Sequence, residues 1–387
     1  MGNMQDFYNN KKVLITGHTG FKGSWLCEML LSMDADVYGY ALEPPTTPSL
    51  FEILDLDKRM KSEVGDIRDF WHLYAYYLEV QPDIIIHMAA QPIVRESYSR
   101  PRETYETNAM GTVNLLEAIR KHPCVSSVVN VTTDKVYRND GRSAGYIEDA
   151  VLDGFDPYSN SKSCSELVTG CYNRSFFDDT DIAVSTVRAG NVIGGGDFAK
   201  DRLIPDAYRA VASGEPLIIR NPSYIRPFWH VLDACYAYLL LAMRQYEDKN
   251  NAGCYNVGPD EGEVWSVSDV VKEFSEEITH CTGRCLDVRF GTEDGLHEDS
   301  ALLLNSEKYR AFFGWEPVWG TREAVAKSAE WYGCFLQDGD VRRKMQKQVE
   351  EFLVDCRGKP ADELPARGLL AVHGHPAGET AAGTDDR

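Results

Sequence analysis

The chain has 387 residues, of which 43% are hydrophobic and 11% aromatic, so it can bury a large core and global disorder is excluded. Its 60 acidic and 40 basic residues give a formal charge of −20, which argues against a nucleic-acid coat or an anionic membrane as its partner. No run of about 18 apolar residues is present and residues 1–10 lack an apolar signal core, so we expect a cytoplasmic protein without a membrane span.

Strands and helices alternate through the first half of the chain. The first predicted strand, residues 12–16, is followed by three glycines and then by apolar residues at helical spacing from Trp25. Further strands are predicted at residues 36–42, 83–87, 127–131 and 183–187, and helices at 108–121, 161–172 and 231–243. This order predicts an α/β fold, a doubly wound parallel Rossmann sheet with right-handed connections.

The regular alternation of strand and helix patterns ends at about residue 190. Beyond it, Gly194, Gly195 and Gly196 and several prolines predict irregular, ligand-facing structure. A smaller α/β substrate-binding lobe is therefore expected to follow the sheet. We divide the chain into a dinucleotide-binding domain (1–190 plus about 228–252), the substrate lobe (191–227 and 253–335), a C-terminal helix (336–356) and a disordered tail (357–387) that is rich in Gly, Ala and Pro.

The ten cysteines are scattered, and none forms a C-x-x-C pair. Cys281 and Cys285 form one C-x-x-x-C spacing beside His280, but no second ligand pair lies near them in the sequence. We therefore expect reduced, mostly buried thiols and no metal site.

The first strand runs into a glycine turn with the pattern G-x-x-G-x-x-G, at Gly17, Gly20 and Gly23. Glycine lets the backbone approach a pyrophosphate closely, and the following helix offers free N–H groups and the positive end of its dipole. The pattern differs from the G-x-G-x-x-G of many dehydrogenases, and an ordinary tight turn between strand and helix is the alternative.

The second predicted strand should end near a carboxylate that binds the adenosine ribose. Glu43 is the nearest carboxylate, although it lies late, and no Arg stands there for a 2′-phosphate, so NAD is favoured over NADP. Asp66 fits either an adenine contact or a helix cap.

Tyr158 and Lys162 form a Y-x-x-x-K pair, which one helix would place on the same face. A nearby ammonium and a cationic nicotinamide ring would both favour tyrosinate, so we expect the pKa of Tyr158 to fall toward neutrality. Such a tyrosine can remove a hydroxyl proton while a hydride leaves the carbon. The pair alone is common by chance, but here it begins a helix after a buried strand.

That strand ends in Thr133, Asp134 and Lys135, at the sheet edge where ligands bind in such folds. A Thr hydroxyl can bridge a substrate hydroxyl and Tyr158, Asp134 can act as an acid or base, and Lys135 can carry a proton or stabilise an enolate. The alternative is a strand-end turn with solvated charges.

Several longer blocks resemble a known family. TGHTGFKGSWL (16–26), HMAAQPIVRESY (87–98), TTDKVY (132–137), DPYSNSK (156–162), RAGNVIGGGDFAKDRLIPD (188–206) and IIRNPSYIRPFWHVLDA (218–234) are similar to the CDP-glucose 4,6-dehydratases. These enzymes are a nucleotide-sugar branch of the extended short-chain dehydrogenase/reductase superfamily. The resemblance covers roughly residues 11–335.

The resemblance implies a lyase that converts CDP-D-glucose to CDP-4-keto-6-deoxy-D-glucose and water, with tightly bound NAD that is reduced and reoxidised in each turnover. Tyr158 would take the O4 proton, Asp134 would protonate the departing O6, and Lys135 would remove the C5 proton. An ammonium can do this only after losing its own proton, which needs burial or a cationic neighbour.

The family's binding residues carry over to the matched positions. The catalytic set would be Thr133, Asp134, Lys135, Tyr158 and Lys162. The cofactor would be bound by Gly17, Thr19, Gly20, Phe21, Lys22, Gly23, Asp66, Ile67, Ala89, Ala90, Tyr158 and Lys162. The nucleotide sugar would be bound by Ser97, Asn191, Arg202, Arg226 and His297, with Asn191 and Arg226 at the diphosphate and Arg202 on the nucleotide side.

The sequence departs from the family pattern at two places. Phe228-Trp229 stands where Trp-Gln is expected, and Asn305 stands where Asp is expected. The identity of the nucleotide's base is the part of the prediction that these differences affect most. The resemblance also suggests a homodimer, through a four-helix contact of the 108–121 and 161–172 helices.

Two other functions compete with the dehydratase. Sugar 4-epimerases share the Tyr and Lys, but they typically carry small or neutral residues after the Thr, and they have no use for an acid at C6. A catalytically silent sugar-nucleotide binder is the second, and the intact Thr133, Asp134, Tyr158 and Lys162 weigh against it.

Overall fold

The computed structural model describes residues 4–141, 144–259, 263, 265–291 and 302–358. The strands are β1 (Lys12–Thr16), β2 (Asp36–Ala41), β3 (Lys61–Val64), β4 (Ile84–His87), β5 (Ser127–Val131), β6 (Ala183–Ala189), β7 (Val192–Ile193), β8 (Leu217–Ile219), β9 (Trp229–His230), β10 (Cys254–Val257) and β11 (Val288–Phe290).

The α-helices are α1 (Met4–Tyr8), α2 (Phe21–Leu31), α3 (Leu50–Ile53), α4 (Phe70–Val80), α5 (Val94–Ser99), α6 (Pro101–Tyr105), α7 (Gly111–Lys121), α8 (Pro157–Tyr172), α9 (Leu203–Ser213), α10 (Val231–Glu247), α11 (Val267–Thr282), α12 (Glu307–Phe313), α13 (Thr321–Leu336) and α14 (Val341–Gly358). One-turn π-helical segments, Glu106–Met110 and Asn173–Phe177, precede α7 and follow α8.

Seven parallel strands form the central sheet, in the order β10-β6-β5-β4-β1-β2-β3. The order reverses direction between β1 and β4, which is the switch point where the carboxyl ends of the strands leave room for a ligand. The predicted doubly wound parallel sheet is confirmed.

Hydrophobic side chains of the sheet alternate between two cores. Val13 and Ile15 of β1 face the side covered by α2 and α10, whereas Leu14 faces the side covered by α4 and α7. Strands buried on both faces read as continuous apolar runs, and for this reason β1 is visible in the sequence.

The smaller lobe contains two short parallel pairs, β7 with β9 and β8 with β11. The structure departs from the expected division at β10, which was placed in the substrate lobe but pairs with β6 at the edge of the central sheet. The C-terminal helix expected at 336–356 begins at Val341, because α13 extends to Leu336. The predicted tail, 357–387, lies almost wholly outside the described residues.

Among the described residues, no helix is both long and apolar enough to cross a bilayer. Within the same part of the chain, no group of three or more His, Cys, Asp or Glu side chains could hold a metal ion. The ten cysteines are free.

Candidate active site

A cavity of about 400 Å³ opens at the carboxyl edge of the sheet, between the sheet and the smaller lobe. This volume is sufficient for a small organic ligand. Its wall includes charged and polar side chains, among them Lys22, Thr133, Asp134, Lys135, Tyr158, Asn191, Arg202 and Arg226. The structure therefore brings together side chains that are up to 204 residues apart in sequence, since Lys22 and Arg226 share one wall.

Helix α8 presents Tyr158 to this cavity and carries Lys162, which is buried, beside it. The helix begins where the Asp156 carboxylate accepts the backbone N–H of Ser159 at 2.9 Å, and Pro157 occupies the first turn. This cap places Tyr158 in the first turn, and Lys162 follows one turn later on the same face. The Lys162 ammonium donates to the backbone oxygen of Val131 at 3.1 Å, which ties α8 to the end of β5.

Thr133 and Asp134 lie where β5 ends in a single 3₁₀ turn, Asp134–Val136. Both side chains are buried, and the Thr133 hydroxyl donates to Asp134 Oδ1 at 2.8 Å. Gly190 approaches this carboxyl so closely that a Cβ there would lie 3.4 Å from Asp134 Oδ2 and 2.9 Å from Pro227. Lys135 is half-buried at the cavity wall.

Burial has opposite effects on the two members of the Tyr–Lys pair. It raises the pKa of Tyr158 to about 12, although a hydrogen bond with Thr133 and the charge of Arg202 lower it. Burial and the charge of the neighbouring Lys22 together lower the pKa of Lys162 to about 7, although Glu166 acts to raise it. The expected fall of the Tyr158 pKa toward neutrality is therefore not found in the protein alone, because desolvation of the phenolate outweighs the nearby cations.

Burial also raises the pKa of Asp134 above its usual range, while Lys135, Thr133 and Arg226 act to lower it. A carboxyl group with a raised pKa holds its proton at higher pH than an exposed one. Asp134 is therefore suited to donate a proton inside a water-poor site.

The glycine turn between β1 and α2 has the geometry of a phosphate site. Gly17 has φ +80°, and a Cβ on it would lie 2.8 Å from the backbone nitrogen of Ala89. A Cβ on Gly23 would lie 2.3 Å from the Gly17 oxygen, so the turn and helix touch there. Around Gly20 a Cβ would meet only that oxygen, at 3.5 Å, and Gly20 caps α2 without a side-chain hydrogen bond.

This arrangement fits a dinucleotide. The first-turn N–H groups of α2, on the partly exposed Phe21 and Lys22, have no capping side chain and lie at the positive end of the helix dipole. The open space at Gly20 is where a pyrophosphate would approach. Thr19 is buried, and its hydroxyl donates to the backbone oxygen of Leu42 at 2.9 Å, so it joins the turn to the end of β2.

The residues expected near the adenine and nicotinamide lie at the ends of β3 and β4. The Asp66 carboxylate accepts from the guanidinium of Arg68 at 2.5 Å and does not cap α4, whose cap is Asp69. Ile67 is buried against Gly111, where a Cβ would lie 2.7 Å from its methyl carbon. Ala89 and Ala90 are partly exposed just after β4, and the Ala89 N–H donates to Thr16.

The cavity wall also holds Asn191, Arg202 and Arg226. Arg202 pairs with Asp197 at 3.0 Å and is close enough to Tyr158 for each charge to affect the other's pKa. The structure thus places Arg202 in the same cavity as Tyr158 and near it. Arg226 is buried, and its guanidinium lies 5.4 Å from the ring centre of Tyr224.

Of the two remaining predicted substrate contacts, Ser97 does not line the cavity. Ser97 is fully buried and donates to the backbone oxygen of Val94 at 2.6 Å, while its neighbours Val94 and Tyr98 line the wall instead. Helix geometry explains why Ser97 does not line the cavity while Val94 and Tyr98 do, because adjacent residues of a helix point in different directions. His297 lies outside the described residues.

Sequence reasoning missed two features of this site. The side chain of Lys22, assigned only to the cofactor turn, reaches the cavity, where burial and the charge of Arg202 lower its pKa to about 8. The Asp197 carboxylate, within the matched block 188–206, accepts a hydrogen bond from Arg202, and Tyr332 donates to the backbone oxygen of Asp197 at 2.5 Å. The signal for this contact in the sequence is the short spacing of five residues between Asp197 and Arg202.

Comparison with known proteins places these residues in a family. The model of the family described as GDP-mannose 4,6 dehydratase matches residues 14–328. A CDP-glucose 4,6-dehydratase of Salmonella typhimurium is 42% identical over 356 residues, which cover 90% of this chain and 98% of that protein. The range of the family match includes the glycine turn and the strand ends that form the cavity.

Solved structures of similar proteins share the fold. A dTDP-glucose 4,6-dehydratase of Streptomyces venezuelae, solved with NAD bound, is 26% identical with a TM-score of 0.71 and covers 83% of this chain and 96% of its own. The UDP-glucose 4-epimerase of Thermus thermophilus has the same TM-score, 0.71, at 24% identity over 83% of this chain and 98% of its own, which shows the fold alone. The family match over most of the chain is the decisive one: the protein belongs to the GDP-mannose 4,6 dehydratase family, within the extended short-chain dehydrogenase/reductase superfamily.

Proposed function

We propose that this chain is a CDP-glucose 4,6-dehydratase, an NAD-dependent lyase that converts CDP-D-glucose to CDP-4-keto-6-deoxy-D-glucose and water. The 42% identity to the Salmonella typhimurium enzyme along almost the full length of both chains supports the substrate. The observation that carries the reaction type is the buried Asp134 carboxyl, hydrogen-bonded to Thr133 and next to Tyr158 in one cavity.

The residues that would hold NAD are those of the β1–α2 turn, with Gly17, Gly20 and Gly23 admitting the pyrophosphate and the N–H groups of Phe21 and Lys22 binding it. Asp66, Ile67, Ala89 and Ala90 would flank the rest of the cofactor, with Tyr158 and Lys162 at its reactive end. The chemistry that NAD supplies when bound is hydride acceptance from C4 of the glucose unit and hydride return to C6.

Tyr158 removes the proton of the C4 hydroxyl as that carbon is oxidised. With a pKa of about 12 in the protein alone, the phenol must meet further positive charge before it ionises near neutral pH. Lys162 in its ammonium form and Arg202 supply part of that charge from this chain. Thr133, hydrogen-bonded to Tyr158, aligns the hydroxyl that reacts.

Lys135 and Asp134 carry out the elimination. The C4 ketone makes the C5 proton acidic, and Lys135, as the free amine, takes it. Asp134 gives its proton to the departing C6 oxygen, so that one water leaves and a C5–C6 double bond forms. When C6 is then reduced, Lys135 returns its proton to C5 and is again the free amine. Because the carboxyl is only 4% exposed, bulk water cannot easily replace it as the acid.

Asn191 and Arg226 would bind the diphosphate, and Arg226 can offer two parallel N–H groups to it. Arg202 would bridge the nucleotide and the reacting sugar, since it lines the cavity beside Tyr158. Ser97 would act only indirectly, through its hydrogen bond to Val94 at the cavity wall. His297 stays a predicted contact near the nucleotide.

A 4-epimerase is the second candidate, because it uses the same tyrosine and lysine. Epimerisation needs no acid beside C6, whereas this cavity keeps a buried carboxyl there. The acidic Asp134 therefore favours the dehydratase.

We also infer that the chain works in the cytoplasm as a homodimer. Ten free cysteines suit a reducing compartment. Met110, just before α7, and Leu167, on α8, are large apolar side chains that are 52% and 59% exposed. A four-helix contact between two copies of α7 and α8 would cover them.

The test is to incubate the protein with NAD and CDP-glucose, and separately with UDP-, dTDP- and GDP-glucose, and to measure product masses. Loss of one water from CDP-glucose in preference to the others is expected. An unchanged mass with a new stereoisomer would establish the epimerase instead, and no turnover of any substrate would leave only a binding protein.

A further inference from the structure

Glu166 lies on α8 one turn beyond Lys162 and two turns beyond Tyr158, on the same inward face. Its side chain is only 1% exposed. A buried carboxylate is costly unless it is fully paired, so its contacts need an explanation.

Three donors satisfy this carboxylate, and they come from the end of β5 and from β6. The Thr132 hydroxyl, just after β5, donates to Oε1 at 2.5 Å. The Thr186 hydroxyl and the Arg188 guanidinium, both on β6, donate to Oε2 at 2.6 and 2.9 Å. Glu166 therefore joins the helix that carries Tyr158 to the two strands beneath it.

Arg188 extends the connection to the far side of the Thr133–Asp134 turn. Its Nη1 donates to the hydroxyl of Tyr137 at 2.6 Å and to the backbone oxygen of Glu148 at 2.8 Å. The turn is thus held at both ends, by Thr132 before it and by Tyr137 after it.

We propose that Glu166 is a positioning residue of this active site, which fixes the spacing between α8 and the β5 turn. The proposal rests on the dehydratase function inferred above. Glu166 does not line the cavity and acts through Thr132, Thr186 and Arg188. Its loss should therefore lower kcat while leaving KM for the nucleotide sugar nearly constant.

The test uses Glu166→Gln and a double variant, because Glu166→Gln alone leaves the Arg188 charge buried without its partner and can unfold the chain. Glu166→Gln combined with Arg188→Gln removes both charges. Arg188→Lys is the matched control, since it keeps the carboxylate together with a cation. The kcat and the KM for the nucleotide sugar are measured for each variant, and circular dichroism shows which variants fold.

In the folded Glu166→Gln variants, kcat should fall at least about tenfold while KM stays within about twofold of wild type, because the spacing between Tyr158 and the Thr133–Asp134 turn is lost. In Arg188→Lys, kcat should stay within about threefold of wild type. A wild-type kcat in a folded double variant, or a KM that rises as much as kcat falls, would overturn the proposal. Failure of both the single and the double Glu166→Gln variants to fold would also overturn it, because the role would then be purely structural. Wild-type protein that releases no water from CDP-glucose would instead refute the proposed function.

Discussion

Replacing Asp134 by Asn removes the proton that the departing C6 oxygen needs while leaving the shape of the site almost unchanged. The Asn amide oxygen can still accept from the Thr133 hydroxyl, which now donates to Asp134 Oδ1 at 2.8 Å. The free energy of unfolding should therefore change by less than about 1 kcal/mol.

The effect on turnover should be much larger. A positioned general acid contributes about 10²–10⁴-fold to a rate. Because the Asp134 side chain is 4% exposed and its pKa is raised by burial, water can substitute for it only poorly. We expect kcat to fall about 10³-fold, which corresponds to about 4 kcal/mol in the activation barrier.

The assay separates oxidation from elimination. In heavy water, the variant should still oxidise C4, and Lys135, which is half-buried at the cavity wall, should exchange the C5 proton. Recovered CDP-glucose should then gain one deuterium without losing water. Tyr158→Phe is the matched control, because it blocks oxidation and should show neither exchange nor water loss.

Two results would contradict this reasoning. A kcat of Asp134→Asn close to the wild-type value would show that another group protonates O6. Absence of deuterium exchange, as in the Tyr158→Phe control, would show that Asp134 acts before or during oxidation at C4.

Three further predictions follow from other parts of the structure. Gly20→Ala should keep the wild-type melting temperature but weaken NAD binding by at least about tenfold in calorimetry. Gly17→Ala should instead destabilise the fold, because the φ of +80° at this position strains any other residue. Equal losses of stability in the two variants would contradict this. The folded protein keeps His87 neutral with a pKa of about 3, while the unfolded chain protonates it below about pH 6.5, so its stabilising effect is complete above pH 6.5 and lost as the pH falls. Between pH 7.5 and 5, the free energy of unfolding of His87→Gln, measured in urea, should therefore fall by about 2 kcal/mol less than that of wild type. An identical fall in the two proteins would refute the assignment. Leu167→Glu should convert a dimer to monomer in sedimentation, whereas a wild-type mass would move the contact elsewhere on the surface.

Features that depend on short spacings were predictable from the sequence. The apolar run of β1 matches its prediction residue for residue, Lys12–Thr16, because a strand buried on both faces needs no alternation. The glycine turn and the pairing of Tyr158 with Lys162 on one helix follow from the same local geometry. The long matched blocks added the family.

Weak local signals hid other elements. The strands β3 and β10 were not predicted, and β10 was assigned to the wrong side of the domain boundary. Each has four residues, and each depends on the neighbouring strand to which it pairs. Pairing partners far away in sequence leave no periodicity to detect.

The sequence by itself determined which chemical groups this protein possesses and the order in which strand, turn and helix present them. Tertiary structure alone decided their electrostatic state. Burial keeps Tyr158 protonated, and Asp197 forms an ion pair with Arg202. Glu166 and Arg188 form a second, buried ion pair beneath the site. The physical reason is that secondary structure depends on neighbours a few residues apart, whereas desolvation and charge pairing depend on every group that folding brings near.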